Sequence, residues 1–84
     1  MIFHGSIINA GAKIGRNCII NSRSLIEHDV TIGENCHIST GTIINGNCKI
    51  GKNTFIGSGS VIKNDIKISA KSFIEMQSRI INDQ

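Results

Sequence analysis

The stretch Ile26-Glu27-His28-Asp29-Val30-Thr31-Ile32-Gly33-Glu34-Asn35-Cys36-His37-Ile38-Ser39-Thr40-Gly41-Thr42-Ile43-Ile44 returns to isoleucine at every sixth residue. Followed outward, the series runs unbroken through Ile2, Ile8, Ile14 and Ile20 on one side and Ile50, Ile56, Ile62, Ile68, Ile74 and Ile80 on the other. A helical face repeats about every 3.6 residues, and hairpin strands are punctuated by turns at irregular intervals. Neither fits a strict period of six. That period is the mark of a chain wound as a coil of very short strands, a β-helix.

The remaining hexad positions agree. Two residues before each Ile stands a small or short residue: Ser6, Ala12, Cys18, Ser24, Cys36, Thr42, Cys48, Thr54, Ser60, Ser72 and Ser78. Residues two apart share a face of a strand, so both point inward. Three residues after the Ile comes Gly, Asn or Asp at Gly5, Gly11, Asn17, Asp29, Asn35, Gly41, Asn47, Asn53, Gly59, Asp65 and Asp83. These types tolerate the positive φ of a sharp corner. Arg23, Lys71 and Gln77 break the rule. The last two lie near the C-terminus, where irregular coils are expected.

With three hexads per turn a coil has about 18 residues, so the 84 residues make between four and five coils, each stacked only on its neighbours. Residues just before each Ile point out and form three columns. The first face shows Met1, Ile19, His37, Phe55 and Phe73; the second Ile7, Leu25, Ile43, Val61 and Arg79; the third Lys13, Thr31, Lys49 and Lys67. Two apolar faces and one polar face predict a prism covered on two sides by neighbours, a homotrimer. The competing explanation is a further domain covering the same faces.

Net charge is +3, with scattered basic residues and neither Trp nor Tyr. That argues against nucleic acid as a partner. No apolar stretch is long enough to span a membrane, and no signal-peptide pattern opens the chain. Cys18, Cys36 and Cys48 all occupy the inward small position. They read as reduced core thiols in a cytoplasmic protein. Paired spacings for zinc are missing, so no metal site is expected.

Among the histidines, His28 falls at a corner between Glu27 and Asp29. A carboxylate beside an imidazole fixes its tautomer and makes a better general base. One coil further along, the same corner position is Gly46, which predicts an accessible backbone N–H there. A base beside an open amide is the minimum needed for acyl transfer; the alternative reading is a solvated turn histidine. His37 stands in an apolar outward column between Ile19 and Phe55 and reads equally as an interface hydrogen-bonding residue. His4 has no evident role.

The segment Ile26 to Gly41 quoted above, continued through Gly46-Asn47-Cys48-Lys49-Ile50-Gly51-Lys52-Asn53, resembles one group of hexapeptide acyltransferases. These are the sialic acid O-acetyltransferases and the UDP-linked amino-sugar N-acetyltransferases of the bacillosamine type. His4-Gly5-Ser6-Ile7-Ile8 is similar to the group's entry into its β-helix. The resemblance implies an all-β, left-handed parallel β-helix, against the usual hand of parallel crossovers. It also implies a trimer binding acetyl-CoA between subunits. It makes His28 the general base and Asp29 the acid that raises its basicity. His37 and Ser58 contact acetyl-CoA, and the acceptor is a sugar or nucleotide-sugar hydroxyl or amine.

The group begins with a nucleotide-sugar-binding α/β domain. This chain opens on the β-helix, so the expectation is one β-helix domain over residues 1–84, with any acceptor-binding domain encoded separately. Glu75-Met76-Gln77 replaces a glycine-rich turn of the group, and Met76 there is expected to weaken acetyl-CoA binding. The second functional reading is an inactive, trimerising scaffold. An ice-binding β-helix is excluded, because Thr31, Thr40, Thr42 and Thr54 form no flat array.

Overall fold

The computed structural model describes residues 1–84, and its only regular elements are thirteen two-residue strands. The second face carries β1 (Ile7–Ile8), β4 (Leu25–Ile26), β7 (Ile43–Ile44), β10 (Val61–Ile62) and β13 (Arg79–Ile80). The third carries β2 (Lys13–Ile14), β5 (Thr31–Ile32), β8 (Lys49–Ile50) and β11 (Lys67–Ile68). The first carries β3 (Ile19–Ile20), β6 (His37–Ile38), β9 (Phe55–Ile56) and β12 (Phe73–Ile74). All pairings are parallel, and each residue faces the one eighteen positions on, as in Ile26↔Ile44 and His37↔Phe55. The chain is therefore a parallel β-helix with the coil length read from the hexads.

Each coil hands its amides to the next through one repeated bond. Lys13 N–H donates to Val30 O at 2.8 Å, Thr31 to Cys48 O at 2.9 Å and Lys49 to Ile66 O at 2.9 Å. Inside this ladder Ile20, Ile26, Ile38, Ile44, Ile56 and Ile62 are wholly buried. The series loosens at the ends: Ile2 is 56% exposed, and Ile8, Ile14 and Ile80 are half-buried. The three outer columns are as expected, with a half-buried His37 and Phe55 in T-shaped contact (centroids 5.3 Å) and Phe55 stacked on Phe73 (4.9 Å). No helix is formed, so none is long and apolar enough to cross a membrane.

Two expectations are corrected. The corners at Arg23, Lys71 and Gln77 are not irregular; they take the same left-handed conformation as the rest, with φ of 58°, 62° and 56°. The preceding coil holds them there, through Arg23 N–H to His4 O (3.2 Å), Lys71 N–H to Lys52 O (2.9 Å) and Gln77 N–H to Ser58 O (2.7 Å), so position overrides residue preference. Asp83, in contrast, is not a left-handed corner. Its carboxylate accepts the Lys67 N–H at 2.8 Å, and Gln84 pairs with Lys67 and Ser69, closing the third face early.

The small inward position has a second duty. Up to Ser60 its hydroxyl or thiol donates to a corner carbonyl of the next coil, fifteen residues on: Ser24 to Ser39 O (2.9 Å), Cys36 to Gly51 O (3.2 Å), Cys48 to Lys63 O (3.0 Å), Ser60 to Glu75 O (3.0 Å). In the last coil Ser72 and Ser78 bond instead to the carbonyls three residues back. The Gly51 and Lys63 carbonyls have no backbone donor and would otherwise lack a partner, a costly condition. Burial pushes the Cys36 and Cys48 thiols above the ordinary cysteine range.

Buried, protonated thiols are poor nucleophiles. Cys18, Cys36 and Cys48 should therefore resist alkylation in the native protein and react together as urea unfolds it, followed by mass spectrometry. Rapid native labelling of all three would place them outside. At the corner of Lys71, a left-handed non-glycine residue costs about 1–2 kcal/mol, with Asn better tolerated. Lys71→Asn should raise stability by about 0.5–1 kcal/mol, read as a higher urea midpoint with the same slope.

Candidate active site

The corner joining the second face to the third holds His28 and Asp29 and, one coil on, Gly46. Chain leaves β4 at Ile26, turns through Glu27, His28 and Asp29, and re-enters the core at Val30. The turn is pinned on both sides: Asp29 N–H donates to Ala10 O at 3.1 Å, and His28 O accepts Asn47 N–H at 3.0 Å. Asp29 occupies the left-handed position with φ 58°, which its short polar side chain tolerates.

From this backbone the Asp29 carboxylate reaches its neighbour. Oδ2 lies 3.2 Å from His28 Nδ1, with the two side chains 62% and 60% exposed. In water such a pair adds little stability; its effect is to orient the ring. Glu27, on the other side of His28, does not take part, because its carboxylate accepts the Asn9 amide at 2.6 Å one coil away. The two carboxylates flanking the histidine in sequence are thus separated in space, and only Asp29 serves it.

With Nδ1 facing the carboxylate, the opposite edge of the ring lies over Gly46. A Cβ built on Gly46 would sit 2.6 Å from His28 Cε1 and would also overlap Nε2. The expected bare corner is there, yet Gly46 is not open: the imidazole covers it and it is buried. Its N–H finds no acceptor within the chain. The amides of Thr40 and Ser58, at the equivalent place on another corner, likewise make no backbone bond. A free N–H is therefore a property of this corner position, and the adjacent imidazole is what singles out Gly46.

His37 and Ser58 are elsewhere. His37 stands on the first face in the ring ladder with Phe55. Ser58 lies on the corner between the first and second faces, half-buried, its carbonyl accepting Gln77 N–H at 2.7 Å. Met76 is one coil beyond Ser58 and 64% exposed. One chain gathers His28, Asp29 and Gly46 but holds His37 and Ser58 away from them. The one surface cavity, about 460 Å³, lies on the third face by Lys49, Lys67 and Gly51 and includes none of these residues. No group of three or more His, Cys, Asp and Glu side chains is placed to hold a metal.

Chemically, an imidazole with Nδ1 held by a carboxylate presents Nε2 as a proton acceptor, and the Gly46 N–H beneath it makes no bond within the chain. The hexad spacing puts His28, Asp29 and Gly46 at one corner, and the structure brings them together there. The hexad reading did not identify Gly11, whose Cβ would lie 3.1 Å from Asp29 Cγ and overlap Oδ1. The available signal was a subtraction of one coil length from Asp29.

The fold has well-matched counterparts. It superposes on perosamine N-acetyltransferase from Caulobacter crescentus, a histidine-to-asparagine mutant crystallised with CoA and GDP-perosamine. The TM-score is 0.93 and the identity 26%, over 94% of this chain and 38% of that one. The acetyltransferase domain of PglB from Neisseria gonorrhoeae matches with a TM-score of 0.80 and 19% identity, over 99% of this chain and 49% of that one. The same domain in complex with acetyl coenzyme A matches at 0.72 and 22%, over 99% and 43%. At their identities the PglB matches speak for the fold alone. The chain spans less than half the length of each of these proteins. No curated protein sequence matches it. The sequence profile described as bacterial transferase hexapeptide (six repeats) matches residues 11–46 and 29–64, together well over half of the chain. An unbroken hexad series wound into stacked coils, matched by that profile through the segment bearing His28, places this chain in the bacterial transferase hexapeptide family.

Proposed function

We propose that this chain is the β-helix of an acetyl-CoA-dependent acetyltransferase that acylates a hydroxyl or amine of a sugar or nucleotide-sugar. The observation that carries the reading is the His28 Nδ1–Asp29 Oδ2 contact of 3.2 Å at an exposed corner, with the imidazole laid over Gly46. The structural likeness to an amino-sugar N-acetyltransferase solved with CoA supports it.

Acetyl-CoA supplies the activated thioester. His28 Nε2 takes the proton of the acceptor as that atom attacks the thioester carbonyl, and Asp29 stabilises the resulting imidazolium and holds its tautomer. Gly46 N–H donates to the oxyanion. As the C–S bond breaks, His28 returns the proton to the departing thiolate, so no residue is consumed. His37 and Ser58 belong to the cofactor side of the site. Because one chain keeps them on other faces, the reading assigns them to acetyl-CoA held between subunits of a homotrimer. The apolar second face, with Ile7 56% and Val61 40% exposed, supports a covered surface there. An acceptor-binding domain supplied separately completes the proposal, with the protein acting in the cytoplasm.

Losing a positioned general base costs about 100- to 10,000-fold in rate. His28→Ala should cause a loss of that size in CoA thiol released from acetyl-CoA, with a UDP- or GDP-linked amino sugar as acceptor. Its melting temperature should barely move, since the side chain is exposed. Asp29→Asn should cost less, because the base remains. Met76→Gly should tighten acetyl-CoA binding in calorimetry and raise the ligand-induced thermal shift. If neither the unmutated chain nor Met76→Gly binds acetyl-CoA at millimolar concentration, the enzyme reading fails and the scaffold reading replaces it.

The trimer has its own test. Ile43→Lys puts a charge into the covered second face, where desolvation is costly, and should shift the sedimenting species from trimer to monomer. A stable, soluble monomer of the unmutated chain at micromolar concentration would rule the assembly out.

A further inference from the structure

We propose that Gly11 is a positioning residue of the acyl-transfer site: by carrying no side chain it gives the Asp29 carboxylate the space from which it holds His28. Gly11 lies one coil before Asp29, and Asp29 N–H donates to the carbonyl of the adjoining Ala10 at 3.1 Å, so the two corners are stacked tightly. The carboxylate folds back across Gly11. Oδ1 fills the place where a Cβ would stand, with Cγ 3.1 Å from that point, and Oδ2 is thereby turned toward His28 Nδ1 at 3.2 Å.

Backbone conformation alone does not call for glycine here. Gly11 has φ 76°, but Asn17, Asn35, Asn47 and Asn53 hold the equivalent corners at 57–61°. Nor do the other left-handed glycines share its surroundings. A Cβ at Gly41 would meet nothing within 4 Å; at Gly5 and Gly59 it would make ordinary contact, at 3.4 Å, with the Cγ atoms of Arg23 and Gln77. Gly11 is the left-handed glycine whose side-chain space is occupied by a charged group.

Gly46 does the same on the other side, receiving the imidazole where its own Cβ would be. The pair is therefore bracketed by two missing side chains, one coil before the carboxylate and one coil after the imidazole. A methyl group at Gly11 meets the mobile end of an exposed aspartate, so the cheapest response is rotation of that carboxylate away from His28. The substitution should alter orientation far more than packing.

The inference rests on His28 being the base of the proposed reaction, and its test separates the two claims. Gly11→Ala and Gly11→Asn are compared with Gly41→Ala and Gly41→Asn, which carry the same left-handed backbone demand without a neighbour. Gly11→Asn keeps a residue type the corners accept, so the comparison survives if Gly11→Ala folds poorly. The first readout is the tautomer of neutral His28 in the ligand-free protein, from long-range 1H–15N correlation spectra. The unmutated chain and both Gly41 variants should show the proton on Nδ1. Both Gly11 variants should move it toward Nε2, as should Asp29→Asn. The second is kinetic: kcat should fall about 10- to 100-fold, the range for a misplaced catalytic group, with KM for acetyl-CoA nearly unchanged. A tautomer shift without measurable transfer in the unmutated chain would support the positioning role and remove the acetyltransferase reading. Gly11 variants whose His28 spectra match the unmutated chain would overturn the proposal.

Discussion

Everything in this molecule depends on the bond from the first amide of a strand to the carbonyl seventeen residues later, as in Lys13 to Val30 and Thr31 to Cys48. Repeated around three faces, it locks residue i against residue i+18 with no slack for insertion, since a one-residue slip would turn every isoleucine outward. Stacked coils stand about 4.8 Å apart, so whatever occupies a corner has its nearest neighbours at plus and minus one coil. Core, corners and candidate site are all consequences of that spacing. The isoleucines fill the axis because they face one another. Arg23, Lys71 and Gln77 adopt left-handed φ with their amides bonded to the preceding coil.

The same spacing creates a polar problem that the fold solves repeatedly. Corner carbonyls fall between ladder bonds, and the inward Ser, Thr or Cys of the preceding coil supplies the donor. This explains why the small position is seldom alanine, and it gives the three cysteines a hydrogen-bonding function besides their volume. Where the position is held by Ala12 or Val30, the carbonyls that would have been capped are those of Glu27 and Asn45, which find no donor in the chain. Both lie on the corner of His28 and Gly46, so the candidate site coincides with a place where the internal capping rule lapses.

A prism of this kind distributes its chemistry over its edges. His28, Asp29 and Gly46 share one corner, while His37 and Ser58 are set on the first face and the corner beyond it. No cavity of the single chain joins them. The proposed acyl-transfer site draws on all five, which is why the proposal places it between copies of the chain, flanking the apolar second face. The structural likeness to these acetyltransferases extends over nearly all of this chain but over less than half of theirs.

The hexad alone determined the coil length, the inward placement of Cys18, Cys36 and Cys48, the three outer columns and the corner position of His28. These follow from a backbone repeat that applies one local rule at every coil, so a period in the sequence is a period in space. Tertiary structure decided the rest. It chose Asp29 over Glu27 as the partner of His28, because Asn9 one coil away captures Glu27. It laid the imidazole over Gly46 instead of leaving that corner open, and it gave Gly11 a purpose that no motif marks. It also kept the last coils regular where local residue preference argued otherwise. Such choices depend on which side chain stands one coil before and one coil after, and on the rotamer each neighbour leaves room for. A repeat specifies where those side chains begin; only the stacked coils specify where they end.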